Sequence, residues 1–155
     1  MSTPPGRTHR YFTAAPLYPF GFGLSYAVFL YSGLSAPPSL ARGAAAFEVG
    51  CDLAHAGGAV SDEVVQLYGA FRGTWAALPS VPRQQLLNFT RLHALGPNAA
   101  RRIVLSVRRD ALALMGPDGV MRVAAGTWRL WMGGGPPGAE RLGGSAVLST
   151  TIDVQ

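Results

Sequence analysis

Few side chains in this sequence could do chemistry: eight aspartates and glutamates, three histidines and one cysteine. Acid–base hydrolysis of a sugar acetal needs two carboxyl groups flanking one bond. Asp62 and Glu63 are neighbours in a run with strand character, so they project to opposite faces. Glu48, Asp52, Asp110, Asp118, Glu140 and Asp153 show no spacing that pairs them, and all eight are expected to be solvated or ion-paired surface groups. His9, His55 and His93 are far apart and lack the cysteine or carboxylate neighbours of a metal site. No serine occupies a Gly-x-Ser-x-Gly elbow. Gly133-Gly134-Gly135-Pro136-Pro137-Gly138 lacks the Gly-Lys-Ser/Thr ending of a phosphate loop and reads as a flexible tip. The expectation is a chain with no catalytic residues, metal or cofactor of its own.

Charge and aromatic content narrow the binding classes. All thirteen basic side chains are arginines, giving a net charge of +5. They are scattered from Arg7 to Arg141, with only Arg101-Arg102 and Arg108-Arg109 adjacent, so the basic stripe that nucleic acid demands is missing. No run of about 20 apolar residues could cross a membrane as a helix. The first residues lack the apolar stretch of a signal peptide, so a secreted parent would carry its signal upstream. Cys51, in an alternating apolar run, fits as a small buried hydrophobe. Trp75, Trp128 and Trp131 are the candidates for stacking on a sugar. Trp128 and Trp131 lie three apart on one strand and so face opposite sides, which commits at least one to the core. Trp75, in an irregular span, is the better candidate for a carbohydrate or interface contact. Asn88-Phe89-Thr90 is a formal glycosylation sequon, but its strand setting favours a structural role.

The elements that must position these residues are strands. Twenty glycines and twelve prolines spread along the chain favour many short strands joined by turns. Residues 26–32 are rich in β-formers, and 33–43 read as a loop. Over 46–54, Phe47, Val49, Cys51 and Leu53 alternate against Glu48 and Asp52, the period of a half-buried strand. His55-Ala56-Gly57-Gly58 is expected to break it. Further strands are predicted from Asp62 to Tyr68, from Pro82 to Leu92, from Arg102 to Arg108, from Thr127 to Met132 and from Ala146 to Val154. Between them lie a loop over 69–81, a turn at Leu95-Gly96-Pro97-Asn98, a short helical turn over 110–115 and a turn at Gly116-Pro117-Asp118-Gly119. About seven strands at this spacing indicate an all-β, immunoglobulin-like sandwich.

Ahead of the strands, residues 1–16 carry three prolines and no acid, the composition of an extended arm. Then comes Leu17-Tyr18-Pro19-Phe20-Gly21-Phe22-Gly23-Leu24-Ser25-Tyr26, too irregular for a helix and too apolar to stand in solvent. This run closely resembles the segment that, in glycoside hydrolase family 3 β-glucosidases and β-xylosidases, joins the catalytic body to a C-terminal fibronectin type III-like domain. Gly6-Arg7-Thr8-His9-Arg10 resembles the Gly-Arg-Thr-Tyr-Arg run of the xylosidase-like branch, with histidine in place of tyrosine. Asp62-Glu63-Val64-Val65-Gln66-Leu67-Tyr68 is similar to a recurring sequence of that domain.

The resemblance implies residues 1–25 as interdomain arm and connector and 26–155 as a fibronectin type III-like domain. It implies a noncatalytic fragment of a longer, extracellular enzyme whose other domains cleave β-xylosidic or β-glucosidic bonds. Arg7, Arg10, Tyr18, Phe20, Phe22 and Tyr26 would then dock on the catalytic domains, the expected partner, with polysaccharide as a second candidate ligand. The alternative is an independent carbohydrate- or protein-binding sandwich.

Overall fold

The computed structural model describes residues 6–18, 20, 22–75, 81–138 and 147–155. One helical turn, α1 (Thr8–Tyr11), precedes β1 (Ala27–Ser35), β2 (Ser39–Leu40), β3 (Ala46–Gly58), β4 (Ser61–Phe71), β5 (Gln85–Leu95) and β6 (Ala100–Arg108). A 3-10 turn at Arg109–Leu112 leads to β7 (Ala113–Met115), β8 (Met121–Val123), β9 (Gly126–Gly133) and β10 (Leu148–Val154). A three-stranded sheet in the order β1-β3-β6 faces a five-stranded sheet in the order β2-β10-β9-β4-β5, and β7 with β8 forms a small hairpin. The sequence-expected loop over 76–80, Glu140 and the start of the last strand at Ala146 fall outside the described residues.

Alternation builds the core as the sequence predicts. Phe47, Val49, Cys51 and Leu53 of β3 and Ile103, Leu105 and Val107 of β6 point inward from one sheet. They meet Val65 and Leu67 of β4, Trp128, Leu130 and Met132 of β9, and Ile152 and Val154 of β10. Trp128 is fully buried, and its indole N–H donates to Ala124 O at 2.9 Å, so its one polar atom costs nothing on burial. The two sheets are also joined by a polar tie, in which the Tyr31 hydroxyl on β1 donates to Glu63 Oε1 on β4 at 2.7 Å.

Several expectations are corrected. Glu63 is not a surface carboxylate but buried, because β4 turns it toward Tyr31 while Asp62 points out. β3 does not break at His55: it runs to Gly58, since Ala27, Val28 and Phe29 of β1 pair with Gly58, Gly57 and His55 around a bulge at Ala56. Gly58, at φ +93°, sits against the Tyr26 carbonyl and has Ala27 Cα only 2.8 Å from where a Cβ would stand. No other residue fits there. The loop placed at 33–43 holds the end of β1 and also β2, which pairs in parallel with β10. The loop placed at 69–81 begins late, because Gly69, Ala70 and Phe71 continue β4 opposite Leu130, Arg129 and Trp128. The helical turn placed at 110–115 is a 3-10 turn over Arg109–Leu112, followed by β7. The glycine-rich tip is no free loop, since residues 133–136 are buried.

The arm departs furthest from expectation. Rather than extending away, it turns at α1 and is held by the residues that lead into β5. The Arg83 amide donates to Arg10 O (2.8 Å), Arg83 Nη1 to Phe12 O (2.7 Å), and Gln84 Nε2 to His9 O (3.1 Å).

Candidate docking surface and cleft

β4 and β9 set the site because both faces of their central residues are covered. Inward-facing Trp128 and Leu130 fill the core, while outward-facing Trp131 packs with Tyr68 and Ala70 in a second apolar cluster on the back of the five-stranded sheet. Trp128 and Trp131 thus do face opposite sides. Trp131 lies between two guanidinium groups, Arg72 and Arg129, each 5.3 Å from its ring centre. Such cations sit favourably on the electron-rich indole face and occupy it.

The arm covers this cluster through His9. Its imidazole meets Tyr68 edge-on at 6.2 Å and stacks on Phe20 at 4.7 Å, linking the aromatic strip to the sheet. Burial, followed by the charge of Arg10, lowers the His9 pKa and favours the neutral ring. Arg10 is turned inward: its Nη2 donates to Gln85 Oε1 at 3.2 Å, and Gln85 Nε2 in turn donates to Ala111 O at 2.9 Å. Arg7 is exposed at the start of α1.

Beyond His9 the strip faces solvent. Tyr18 and Phe22 lean on each other with ring centres 4.9 Å apart, yet they remain 64% and 48% exposed. Phe20 is 56% exposed, and Leu17, Leu24 and Tyr26 are almost bare. So many large apolar groups in one run mark an interaction surface. Between strip and sheet opens a cleft of about 740 Å³, lined by His9, Tyr18, Phe20, Arg72, Arg83 and Trp131 among others. No carboxylate is found in its described lining. Its described lining offers donors and aromatic surface, without the paired acids that glycoside cleavage needs.

The remaining candidates are placed elsewhere. Trp75 is half-buried, with its indole N–H donating to Met115 O at 3.1 Å and its ring edge-on to Phe71 at 6.2 Å. Asn88 donates to Ser106 O at 2.7 Å, crossing from β5 to β6. Cys51 is buried, and that burial raises its thiol pKa to about 11. Among the described residues no three metal-binding side chains come together. Sequence reasoning picked out the strip but missed Arg72, Arg83 and the role of Trp131. Only Trp131's placement opposite Trp128 gave a signal.

A mostly antiparallel sandwich of two facing sheets with a back-of-sheet aromatic attachment defines the class, and comparison with known proteins shows what it is similar to. The family profile described as fibronectin type III-like domain matches residues 63–135. A probable β-glucosidase L of Emericella nidulans is 34% identical over 110 residues, covering 61% of this chain and 14% of that protein. A β-xylosidase of Formosa agariphila is 28% identical over 125 residues, covering 81% of this chain and 17% of that protein. The crystal structure of a family 3 β-glucosidase from Bifidobacterium adolescentis matches 88% of this chain with a TM-score of 0.68 and 27% identity, again over only 18% of its length. Residues 63–135 are thus similar to a fibronectin type III-like domain, and the proteins the chain resembles are β-glucosidases and β-xylosidases. The chain spans under a fifth of each of these relatives.

Proposed function

We propose that this chain acts as the noncatalytic C-terminal accessory domain of a longer family 3 glycoside hydrolase that cleaves β-glucosidic or β-xylosidic bonds outside the cell. Residues 1–25 serve as the connector and 26–155 as the docked domain. The observation that carries this reading is the exposed strip from Leu17 to Tyr26, set beside a sandwich whose core is already filled. Tyr18, Phe20, Phe22 and Tyr26, with Arg7 at the edge, would pack against the catalytic body, while Arg10 holds the arm that presents them. The location outside the cell rests on the family resemblance.

The test assays the purified chain on aryl β-glucosides and β-xylosides. No turnover is expected; turnover abolished by replacing a single carboxylate would overturn the reading. In a full-length enzyme containing this domain, replacing Tyr18 and Phe22 by serine is expected to loosen the domain's attachment, measured as a lower thermal midpoint of the whole enzyme.

A further inference from the structure

Four of the described arginines are paired with an acid. Arg91, Arg102, Arg108 and Arg122 each meet an aspartate, namely Asp62, Asp52, Asp110 and Asp118. The two that line the cleft meet none among the described residues. Arg72 rests only on the Trp131 ring, and Arg83 spends one nitrogen on Phe12 O. Both are exposed, and both lie where the described lining holds no other arginine and no acid. Two guanidinium groups lining one cleft with no counter-ion among the described residues suit a carboxylate, held by charge-assisted and often bidentate hydrogen bonds.

We propose that the cleft seats an acidic peptide segment of the catalytic body. Arg72 and Arg83 take its carboxylates, and the exposed rings of Phe20 and Tyr18 receive the apolar residues beside them. This rests on the accessory-domain reading and names the partner chemistry that reading requires. A peptide fits better than a neutral sugar, because sugars stack on open aromatic faces and the Trp131 face is occupied by Arg72 and Arg129. Continuity supports the same occupant: Tyr18 and Phe20 belong to both the cleft and the exposed strip, so one body could cover both.

The experiment titrates the 155-residue chain with a capped peptide alternating aspartate with leucine and phenylalanine, following Trp131 emission against a Trp131→Phe blank. Its asparagine analogue and a galacturonate trimer are run in parallel. The expected result is saturable binding of the acidic peptide. It should weaken by about tenfold for the analogue, for Arg72→Ala and for Arg83→Gln, and be unchanged in Arg101→Ala, which alters an exposed arginine outside the cleft. An absent response, equal binding of the analogue, or equal loss in Arg101→Ala overturns the proposal. Saturation by the galacturonate trimer alone overturns it in favour of an acidic saccharide. The assay of hydrolysis and the strip variants test the accessory reading separately. A silent peptide titration beside strip-dependent attachment would therefore remove the cleft's occupant and leave that reading standing.

Discussion

Asp62 shows how a residue that fails as a catalyst still works in the fold. β5 carries one extra residue near Ala94, which takes φ +51°, an uncomfortable angle for a side chain bearing a Cβ. Asp62 Oδ1 accepts from the Ala94 amide at 2.8 Å, while Oδ2 accepts from Arg91 at 2.7 Å and lies 3.0 Å from His93 Nδ1. The Ala94 amide foremost, then Arg91, lowers the Asp62 pKa from 3.8 to about 2. The carboxylate is therefore bound more favourably in the folded than in the unfolded chain. That stabilisation is complete above the unfolded pKa and is lost as pH falls through the folded one. Asp62→Asn is accordingly expected to lower the thermal midpoint at pH 7, with the gap to wild type closing between about pH 4 and pH 2. A gap constant across that range would show that the charge is not what holds the bulge. That Asp62 and Glu63 face opposite sides was legible from their adjacency; which of the two is buried was not. Nor were the partners of Asp62, because Ala94 and Arg91 come to it only through strand pairing.

At the scale of elements, the arm and the strip separate into two functions. The arm is bonded to Arg83 and Gln84, meets Tyr68 through His9 and lines the cleft beside Trp131, whereas Phe22, Leu24 and Tyr26 of the strip are exposed. Deleting residues 1–16 should leave a folded sandwich that is less stable by roughly 2–3 kcal/mol in urea unfolding, with Trp131 emission shifted to the red. Tyr18→Ser with Phe22→Ser should leave unfolding within about 0.5 kcal/mol of wild type and raise solubility, since these rings touch mainly each other. Equal losses from both changes would mean that the strip is part of the fold. The seven longer strands were legible because their apolar residues repeat every second position, as over Phe47 to Leu53. The arm was not: its prolines and lack of acids say extended, while its structure is dictated by residues some seventy positions away. The run His55 to Gly58 misled for a related reason, since two glycines mark a break unless a neighbouring strand, here β1, is there to pair with them.

Across the whole molecule, the Tyr31–Glu63 bond ties the two sheets between two buried side chains. A hydrogen bond between buried polar groups matters because losing it leaves a buried polar atom with fewer partners. Tyr31→Phe is expected to cost about 1–3 kcal/mol in urea unfolding while keeping one cooperative transition. Two separated transitions would show that the sheets unfold independently. The outer rims of the sandwich have a further consequence. β5 is the last strand of its sheet, and it carries two bulges, at Leu87 and near Ala94. β6 is the last strand of the other sheet, and its Ser106 carbonyl is taken by Asn88. Neither rim presents an unbroken row of donors and acceptors to a passing strand. A chain this apolar, made in quantity before it meets a partner, is thereby guarded against edge-to-edge fibre growth, and an Asn88→Ala protein would lose part of that guard.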